Sequence, residues 1–375
     1  MTGKMHNPVV LAAGGSGGHV FPAEALATEL AGRELRLVLI TDRRGEHYGG
    51  ALGNIDTYRI RAGGIAGKSL AARLKSGPEL AVGTWQARSL LKRINPSAVV
   101  GFGGYASVPT MLAATFGGYR TAIHEQNAIL GRANRLLAGR VDRIATSFRN
   151  TLSVPDAVAG RVLYCGMPVR SSVIPMRDVP YPVLDDTCRI NVLVLGGSQG
   201  ASVLSDIIPQ AIGLLDDDLR NRISVTQQCR PEDLEKTRTT YDRLGIDATL
   251  SDFFDDVPGA LAAAHLLIGR SGSSTVAEAT VIGRPAILVP YPHAIDDHQS
   301  FNGHALDEAG GGWVMSQETF TASGLSGRLH SLLRSPKILQ KAAVCARAAG
   351  RPDAAVRLAD MVCDLLDRNG DRRAA

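Results

Sequence analysis

The chain has 375 residues, 45% of them hydrophobic and 21% charged, with 41 glycines and a net charge of +5. That length supports two full cores, and the composition is that of an ordinary globular protein, which excludes a disordered or fibrous chain. The basic excess is diffuse and lacks interleaved aromatics, which argues against a nucleic-acid platform and favours anionic ligands or an anionic membrane surface.

The apolar run Val9–Ala13 is too short for a secretory signal and reads as a first strand. It ends in Gly14-Gly15-Ser16-Gly17-Gly18-His19, with Pro22 at an early helical position. A strand that turns through glycines into a helix aims backbone N–H groups and a positive dipole end at an anion. A tight structural turn is the plain alternative, but such a turn has no need of an imidazole. Gly15-Ser16-Gly17 also opens the dinucleotide fingerprint, with Asp42 after the second strand (Arg36–Thr41) as a ribose partner. Val20 stands where the third glycine belongs, which weakens that reading.

Leu70, Leu74, Leu80, Val82 and Trp85 then lie among Lys68, Arg73, Lys75, Arg88, Lys92 and Arg93. An apolar strip flanked by cations suits an anionic lipid surface, while an ordinary helix with a solvated basic face remains the alternative. The uncharged stretch 94–119 contains prolines and glycines, so it reads as a buried strand, Ala98–Phe102, with a loop and helix, and not as a membrane span. It carries Gly101-Phe102-Gly103-Gly104-Tyr105. The strand Thr121–His124 exits into Glu125, Gln126 and Asn127, four polar residues with His124, which predicts a functional loop; N-capping by Asn127 is the simpler reading. Tyr105 is expected near Glu125. The last strand of this half is Arg143–Thr146.

Prolines at 168, 175, 180 and 182 break the pattern and mark a hinge around residues 166–186. The second half repeats the alternation: strands at Ile190–Leu195, Arg222–Thr226, Ala248–Asp252, His265–Ile268 and Ala286–Pro290, separated by helical stretches. Near-continuous Val/Ile/Leu runs of this kind predict parallel strands covered on both faces. The first of them ends in Gly196-Gly197-Ser198-Gln199-Gly200, which restates the opening motif 182 residues later, about one domain's length. Asp216-Asp217-Asp218 spells the D-x-D of metal-dependent transferases but sits at a helix end and reads as a solvated turn. The cysteines (Cys165, Cys188, Cys229, Cys345, Cys363) show no metal spacing and read as reduced thiols.

The densest signal runs from Arg270 to Asn302. Ser271-Gly272-Ser273-Ser274-Thr275 opens a helix with small hydroxyl residues that leave room for a phosphate, although Ser271 or Ser273 would also serve as a plain N-cap. Glu278 lies a turn along, placed for the hydroxyls of a ribose, and Asp297 and Gln299 start a further helix.

Five separated motifs thus arrive in one order: GGSGGHVFPA from Gly14, GFGGYASVP from Gly101, HEQNAILGRANRLLA from His124, GGSQGA from Gly196, and RSGSSTVAEATVIGRPAILVPYPHAIDDHQSFN from Arg270. Together, from Val9 to Asn302, they resemble the MurG family of bacterial cell-wall glycosyltransferases. The resemblance implies an α/β protein of the GT-B class, two Rossmann-like parallel-sheet domains facing across a cleft. Residues 1–166 would form the acceptor- and membrane-facing domain and 167–349 the donor domain, with a helix over about 350–375 packing back on the first. The implied reaction is inverting transfer of GlcNAc from UDP-GlcNAc to the 4-hydroxyl of MurNAc in undecaprenyl-pyrophosphoryl-MurNAc-pentapeptide (lipid I), giving lipid II for peptidoglycan synthesis, without metal or cofactor. Carried over by position, Ser16, Gly17, Gly18, Asn127, Arg170, Ser198, Gln199, Gly200, Phe254 and Gln299 line the donor site. Ser273, Ser274, Thr275, Val276, Ala277 and Glu278 join them, with Glu278 on the ribose. The first glycine loop with His19 would face the acceptor diphosphate.

The catalytic base is His19 or Glu125, with Tyr105 orienting. An imidazole of pKa ~6.5 suits the task directly, whereas a carboxyl of ~4.3 needs burial to raise it. The implied place is the cytoplasmic face of the inner membrane, peripheral, with UDP-GlcNAc, lipid I and other cell-wall synthesis proteins as partners and no nucleic acid. A sugar-nucleotide epimerase, a nicotinamide oxidoreductase and a non-catalytic nucleotide-binding module are the competing readings.

Overall fold

The structure is a computed structural model that describes residues 7–14, 17–42, 50–62, 70–185, 187–197 and 200–367, with backbone only for 70–76. In chain order the first elements are β1 (Val9–Ala12), α1 (Gly17–Gly32), β2 (Leu37–Thr41), α2 (Gly50–Gly53), β3 (Asp56–Arg59), α3 (Leu70–Ile94), β4 (Ala98–Gly101) and α4 (Gly104–Phe116). They are followed by β5 (Thr121–Glu125), α5 (Arg132–Ala138), β6 (Arg143–Thr146), β7 (Val162–Tyr164), β8 (Ile190–Leu195), α6 (Ser202–Gly213), α7 (Asp217–Arg220) and β9 (Ile223–Gln228). Next come α8 (Leu234–Arg243), β10 (Asp247–Ser251), α9 (Val257–Ala263), β11 (Leu266–Gly269), α10 (Ser273–Ile282) and β12 (Ala286–Leu288). The chain closes with α11 (His298–Glu308), β13 (Gly312–Val314), α12 (Ala322–Leu333), α13 (Pro336–Ala349) and α14 (Ala354–Asp367).

The chain divides into two compact units, one built from residues up to Arg170 together with those from Asp353 onward, the other from Ser171–Pro352. Each holds one wholly parallel sheet. The first has seven strands in the order β3-β2-β1-β4-β5-β6-β7, the second six in the order β10-β9-β8-β11-β12-β13. The interior strands follow the chemistry of their runs: every residue of β1, β4 and β11 is buried, as β-branched and aliphatic side chains covered on both faces must be. The strands that no apolar run announces, β3, β7 and β13, are all sheet edges with largely half-exposed side chains.

In each sheet the strand order reverses at one place. In the first unit β1 sits between β2 and β4, and in the second β8 sits between β9 and β11. Successive crossovers leave in opposite directions there, opening a crevice at the strands' carboxyl ends. The two glycine motifs follow β1 and β8, so each occupies the switch point of its own sheet.

The final helix completes the first unit. Leu358, Ala359, Met361, Val362, Leu365 and Leu366 of α14 join Leu26 and Leu30 of α1 in one buried cluster, each larger side chain contributing about 1.5–3 kcal/mol on leaving water. Arg120 donates to the carbonyls of Leu365 and Leu366 and so closes the helix end, satisfying acceptors that have no partner within the helix. Arg33 pairs with Asp360 at 2.8 Å.

Candidate functional site

The switch point of the first unit is built by close approach. A Cβ on Gly14 would lie 2.8 Å from Thr41 Oγ1 and 2.9 Å from Ala106 Cβ, so only glycine fits as the chain leaves β1. The same packing buries Asp42, which is 3% exposed beside Gly14, and removes it as a ribose partner on an open crevice. Gly15 and Ser16 lie outside the described residues. Gly17 and Gly18 begin α1, which puts His19 in its first turn.

From the other side, β4 ends in a turn through Gly103 and Gly104 at φ +74° and +67°, a region that side chains with a Cβ rarely adopt. The turn presents the Phe102 carbonyl to His19. The imidazole Nδ1 is 2.9 Å from that oxygen and 3.2 Å from Gln126 Oε1. The ring lies along the turn, where a Cβ on Gly104 would come within 3.2 Å of its Cδ2 and Nε2. Tyr105 follows Gly104 in the first turn of α4 and is half-buried.

The exit of β5 departs from expectation. Polar residues there predict a solvent-facing loop, yet His124, Glu125 and Gln126 are 0%, 2% and 2% exposed. They are tolerated because they are hydrogen-bonded. The Glu125 carboxylate accepts four hydrogen bonds: on Oε1 from Asn127 N at 3.0 Å and Asn127 Nδ2 at 3.2 Å, on Oε2 from Gly131 N and Asn134 Nδ2, both at 2.8 Å. Asn127 is therefore not the N-cap of α5. That position is Gly131, and Glu125 bonds its N–H from outside the helix. Tyr105 is not among these four donors, and Gly104, its neighbour, packs against His19.

Gln126 Nε2 lies 2.8 Å from Phe102 O, 3.1 Å from His124 O and 3.1 Å from His124 Nδ1. His124 Nε2 meets Ser147 Oγ at 3.3 Å. Complete burial pulls the His124 pKa down to about 4, so the ring is neutral. Arg170, the last residue of this unit's first segment, lies 5.2 Å over the Phe21 ring of α1. Its charge partly offsets the burial that pushes the Glu24 carboxyl up.

In the second unit, a Cβ on Gly196 would meet Ala201 N at 2.8 Å, and one on Gly200 would strike Arg230 Cγ at 2.5 Å. Gly197 and Gly200 take φ of +80° and +66°, and Gly200 N donates to Gly197 O at 3.0 Å. Ser198 and Gln199 lie outside the described residues. Across the switch point, β11 exits into Arg270 and Ser271, and α10 starts after Gly272, whose position carries no side-chain cap. Neither Ser271 nor Ser273 is the N-cap. Instead the hydroxyls of Ser271 and Ser274 are buried with no hydrogen-bond partner among the described residues. Thr275 and Ala277 are half-buried, while Ser273, Val276 and Glu278 are buried.

Arg270 stiffens this mouth. It is 8% exposed and donates to Val289 O at 3.1 Å, Pro290 O at 3.0 Å and Gln317 Oε1 at 2.7 Å, with Tyr291 stacked 5.5 Å away. Asn302, fully buried, donates to Ser271 O at 3.1 Å. Gln299 Oε1 accepts from Tyr291 N at 2.9 Å. Phe254 is half-buried in the loop after β10.

Elsewhere, Asp216 and Asp218 pair with Arg334 at 3.2 and 2.8 Å and Asp217 with Arg220 at 2.7 Å. Among the described residues no group of three His, Cys, Asp or Glu side chains is placed to hold a metal ion. On α3, Trp85 is 71% exposed, with Val82, Arg88 and Lys92 exposed on the same face. Lys68 and the side chains of Leu70, Arg73, Leu74 and Lys75 lie outside the described residues.

Residues 9–146 match the N-terminal domain of glycosyltransferase family 28, and residues 191–358 match its C-terminal domain. A protein of Paramagnetospirillum magneticum, named UDP-N-acetylglucosamine–N-acetylmuramyl-(pentapeptide) pyrophosphoryl-undecaprenol N-acetylglucosamine transferase, is 58% identical over 358 residues, 96% of each chain. One of the same name from Rhodospirillum rubrum is 56% identical over 96% of this chain and 92% of its own. The MurG structure from Acinetobacter baumannii aligns with a TM-score of 0.77 at 28% identity, over 96% of this chain and 99% of that one.

The chain belongs to the MurG family of glycosyltransferases. The fold is shared more widely: a UDP-GlcNAc 2-epimerase from Neisseria meningitidis aligns with a TM-score of 0.65 at 12% identity, over 95% of this chain and all 100% of that one. Within this MurG-family chain both switch-point sites fall inside the matched domains.

Three residues that sequence reasoning did not single out, Asn134, Arg270 and Asn302, hold these sites together with Gln126, which the sequence offered only as one of a polar quartet. Gln126 and Asn134 stand inside the HEQN motif and the helix after it, and Arg270 and Asn302 bound the long motif of the second half. Their signal is a polar residue at a strand exit or inside a helix, where a core needs none.

Proposed function

We propose that this MurG-family enzyme transfers N-acetylglucosamine from UDP-GlcNAc to the 4-hydroxyl of the MurNAc residue of lipid I, forming lipid II in peptidoglycan synthesis, with inversion at the anomeric carbon. The observation that carries the reading is 58% identity, over nearly the whole chain, to a transferase named for that reaction.

The second unit takes the donor. The α10 N-terminus, the Ser271 and Ser274 hydroxyls, the backbone at Gly196 and Gly197, and the fixed charge of Arg270 offer positive potential to the diphosphate. Glu278 accepts from the ribose hydroxyls, and Phe254, Ser273 and Gln299 complete the wall. As the acceptor oxygen bonds to the anomeric carbon, the bond to UDP breaks and its electron pair moves onto the β-phosphate oxygen, where those donors meet it.

The first unit takes the acceptor. His19 Nε2 removes the proton from the attacking hydroxyl, and its Nδ1–H points the growing positive charge at the Phe102 carbonyl. Glu125 is assigned to the scaffold, because its lone pairs already serve four donors. The enzyme works at the cytoplasmic face of the inner membrane, where Val82 and Trp85 enter the leaflet and Arg88 and Lys92 meet anionic headgroups. Among the described residues no helix is long and apolar enough to cross a membrane.

The test is transfer of labelled GlcNAc to a lipid I analogue in excess chelator, with UDP-glucose and UDP-galactose as competing donors. Product from UDP-GlcNAc, undiminished by chelator, is expected. No product, together with no calorimetric heat on mixing with UDP, overturns the reading. Flotation with anionic but not neutral vesicles, weakened in Trp85→Ala, is expected of the membrane face.

A further inference from the structure

The buried side chains behind His19 form a chain of hydrogen bonds whose directions can be worked out from its ends. Phe102 O and His124 O are carbonyls and can only accept. Gln126 Nε2 lies within 2.8 and 3.1 Å of them, so the amide nitrogen must face that way; the flipped amide would set oxygen against two oxygens. Gln126 Oε1 is then the atom 3.2 Å from His19 Nδ1. An amide oxygen accepts, as does the Phe102 carbonyl 2.9 Å away on the same nitrogen. Nδ1 must therefore carry the hydrogen, and the Nε2 lone pair is left for a substrate proton.

The same amide orders the ring behind it. Gln126 Nε2 shares its two hydrogens among three acceptors, the third being His124 Nδ1 at 3.1 Å, and the hydrogen of His124 sits on Nε2, which lies 3.5 Å from the Gly166 carbonyl, an acceptor only. That hydrogen is donated to Ser147 Oγ at 3.3 Å, whose own hydrogen points to Met167 Sδ at 3.4 Å. Burial holds His124 neutral, with its pKa at about 4, so no second positive charge faces His19 when it takes up a proton.

The geometry points to Gln126 as a positioning residue for His19: backed by the ring of His124, its amide fixes the Nδ1–H tautomer of His19 and supports the imidazolium formed during transfer. A neutral amide here takes the place that a carboxylate holds in the usual histidine–acid pair. An amide does so without burying a net charge among residues that are nearly fully shielded from solvent, a cost that an unpaired carboxylate would incur. The inference rests on His19 being the base, and its test separates the two.

The experiment uses the full chain labelled with ¹⁵N in its histidine rings. His19 is assigned by the signal lost in His19→Gln, and its tautomer is read from the two ring nitrogen shifts. In the wild-type protein a protonated Nδ1 and an unprotonated Nε2 are expected; the opposite tautomer overturns the proposal without any variant being needed. Gln126→Met keeps the length and removes the amide. It is expected to mix the His19 tautomers and lower kcat by ten- to a hundredfold, with KM for UDP-GlcNAc and for the lipid I analogue within twofold. Unchanged kcat and an unchanged tautomer in Gln126→Met, while His19→Ala is inactive, sink the positioning role and leave the base standing. His19→Ala within a few-fold of wild type sinks the base itself, and with it this role for Gln126.

Discussion

The two switch points use polar groups in opposite ways. At the end of β5 every lone pair of Glu125 is spoken for, and Gln126 and His124 are locked donor to acceptor into the backbone. At the start of α10 the reverse holds: the helix has no side-chain cap, and two buried serine hydroxyls have no partner among the described residues. Unmet buried hydroxyls cost about 1–3 kcal/mol each, so the pair at the start of α10 favours a ligand that bonds them, although Thr110 Oγ1 inside α4 is also unmet among the described residues. The contrast teaches a division of labour. On the proposed mechanism, a site that acts with its own side chain surrounds it with bonded groups, Asn134 Oδ1 being an exception among the described residues, and turns His19 Nε2 to the substrate. A site that grips a ligand leaves several donors open and lets the ligand saturate them.

The largest effect is expected at His19. A general base contributes typically 10²–10⁴-fold, so His19→Ala is expected to lose about that factor in kcat, or roughly 3–5 kcal/mol of transition-state stabilisation, while calorimetric UDP affinity stays within twofold. Turnover within a few-fold of wild type would show that the saturated network does not serve this ring.

Glu125→Gln comes next, and its loss is one of stability. One carboxylate oxygen becomes an NH₂ that faces two donors, and hydrogen bonds to a charged acceptor are worth about 1.5–3 kcal/mol each. The unfolding free energy of the first unit is expected to fall by about 3 kcal/mol in denaturant titration. At a temperature where the variant is folded, its kcat is expected within a few-fold of wild type. A folded, stable and inactive Glu125→Gln would return the base to Glu125.

How much of this was legible in the chain follows from the same contrast. The interior strands, their parallel order and the two glycine turns are written in continuous apolar runs and in glycines that tight turns require. The edge strands β3, β7 and β13 escaped, because a half-exposed edge such as Asp56–Arg59 has no apolar run to show. The polar quartet around the end of β5 was visible as out of place in a core. Its burial was not, since the partners that make it tolerable are donors from Gly131 and Asn134 and an acceptor, the Phe102 carbonyl, at the neighbouring strand's exit. For the same reason sequence left His19 and Glu125 level as candidate bases. The hydroxyl run at Ser271–Thr275 was legible as small polar residues opening a helix, whereas the burial of Arg270 before it was not, because an arginine after a strand usually reads as surface.

His124 tests the saturated side through pH. Its pKa is about 4 in the folded protein against about 6.5 unfolded. The unfolded chain therefore binds the extra proton between those values, and stability present above pH ~6.5 drains away as pH falls toward ~4. Between pH 7 and pH 5 the loss is about 2 kcal/mol. Denaturant titration at the two pH values is expected to show it in wild type and not in His124→Asn. An equal pH dependence in both would mean that His124 is not the group held neutral.

The smallest effect sharpens the unsaturated side. In Ser274→Ala a hydroxyl that bonds nothing in the free protein is removed, so the unliganded Tm is expected to stay level or rise slightly. With UDP present the same hydroxyl has a charged acceptor to meet, and its loss is expected to raise Kd about tenfold, or ~1.4 kcal/mol. The two readings have opposite signs, which no general loosening of α10 would produce. A lower unliganded Tm with unchanged UDP affinity would make Ser274 an ordinary structural residue, and the α10 mouth would then owe its grip on phosphate to backbone N–H groups and Arg270 alone.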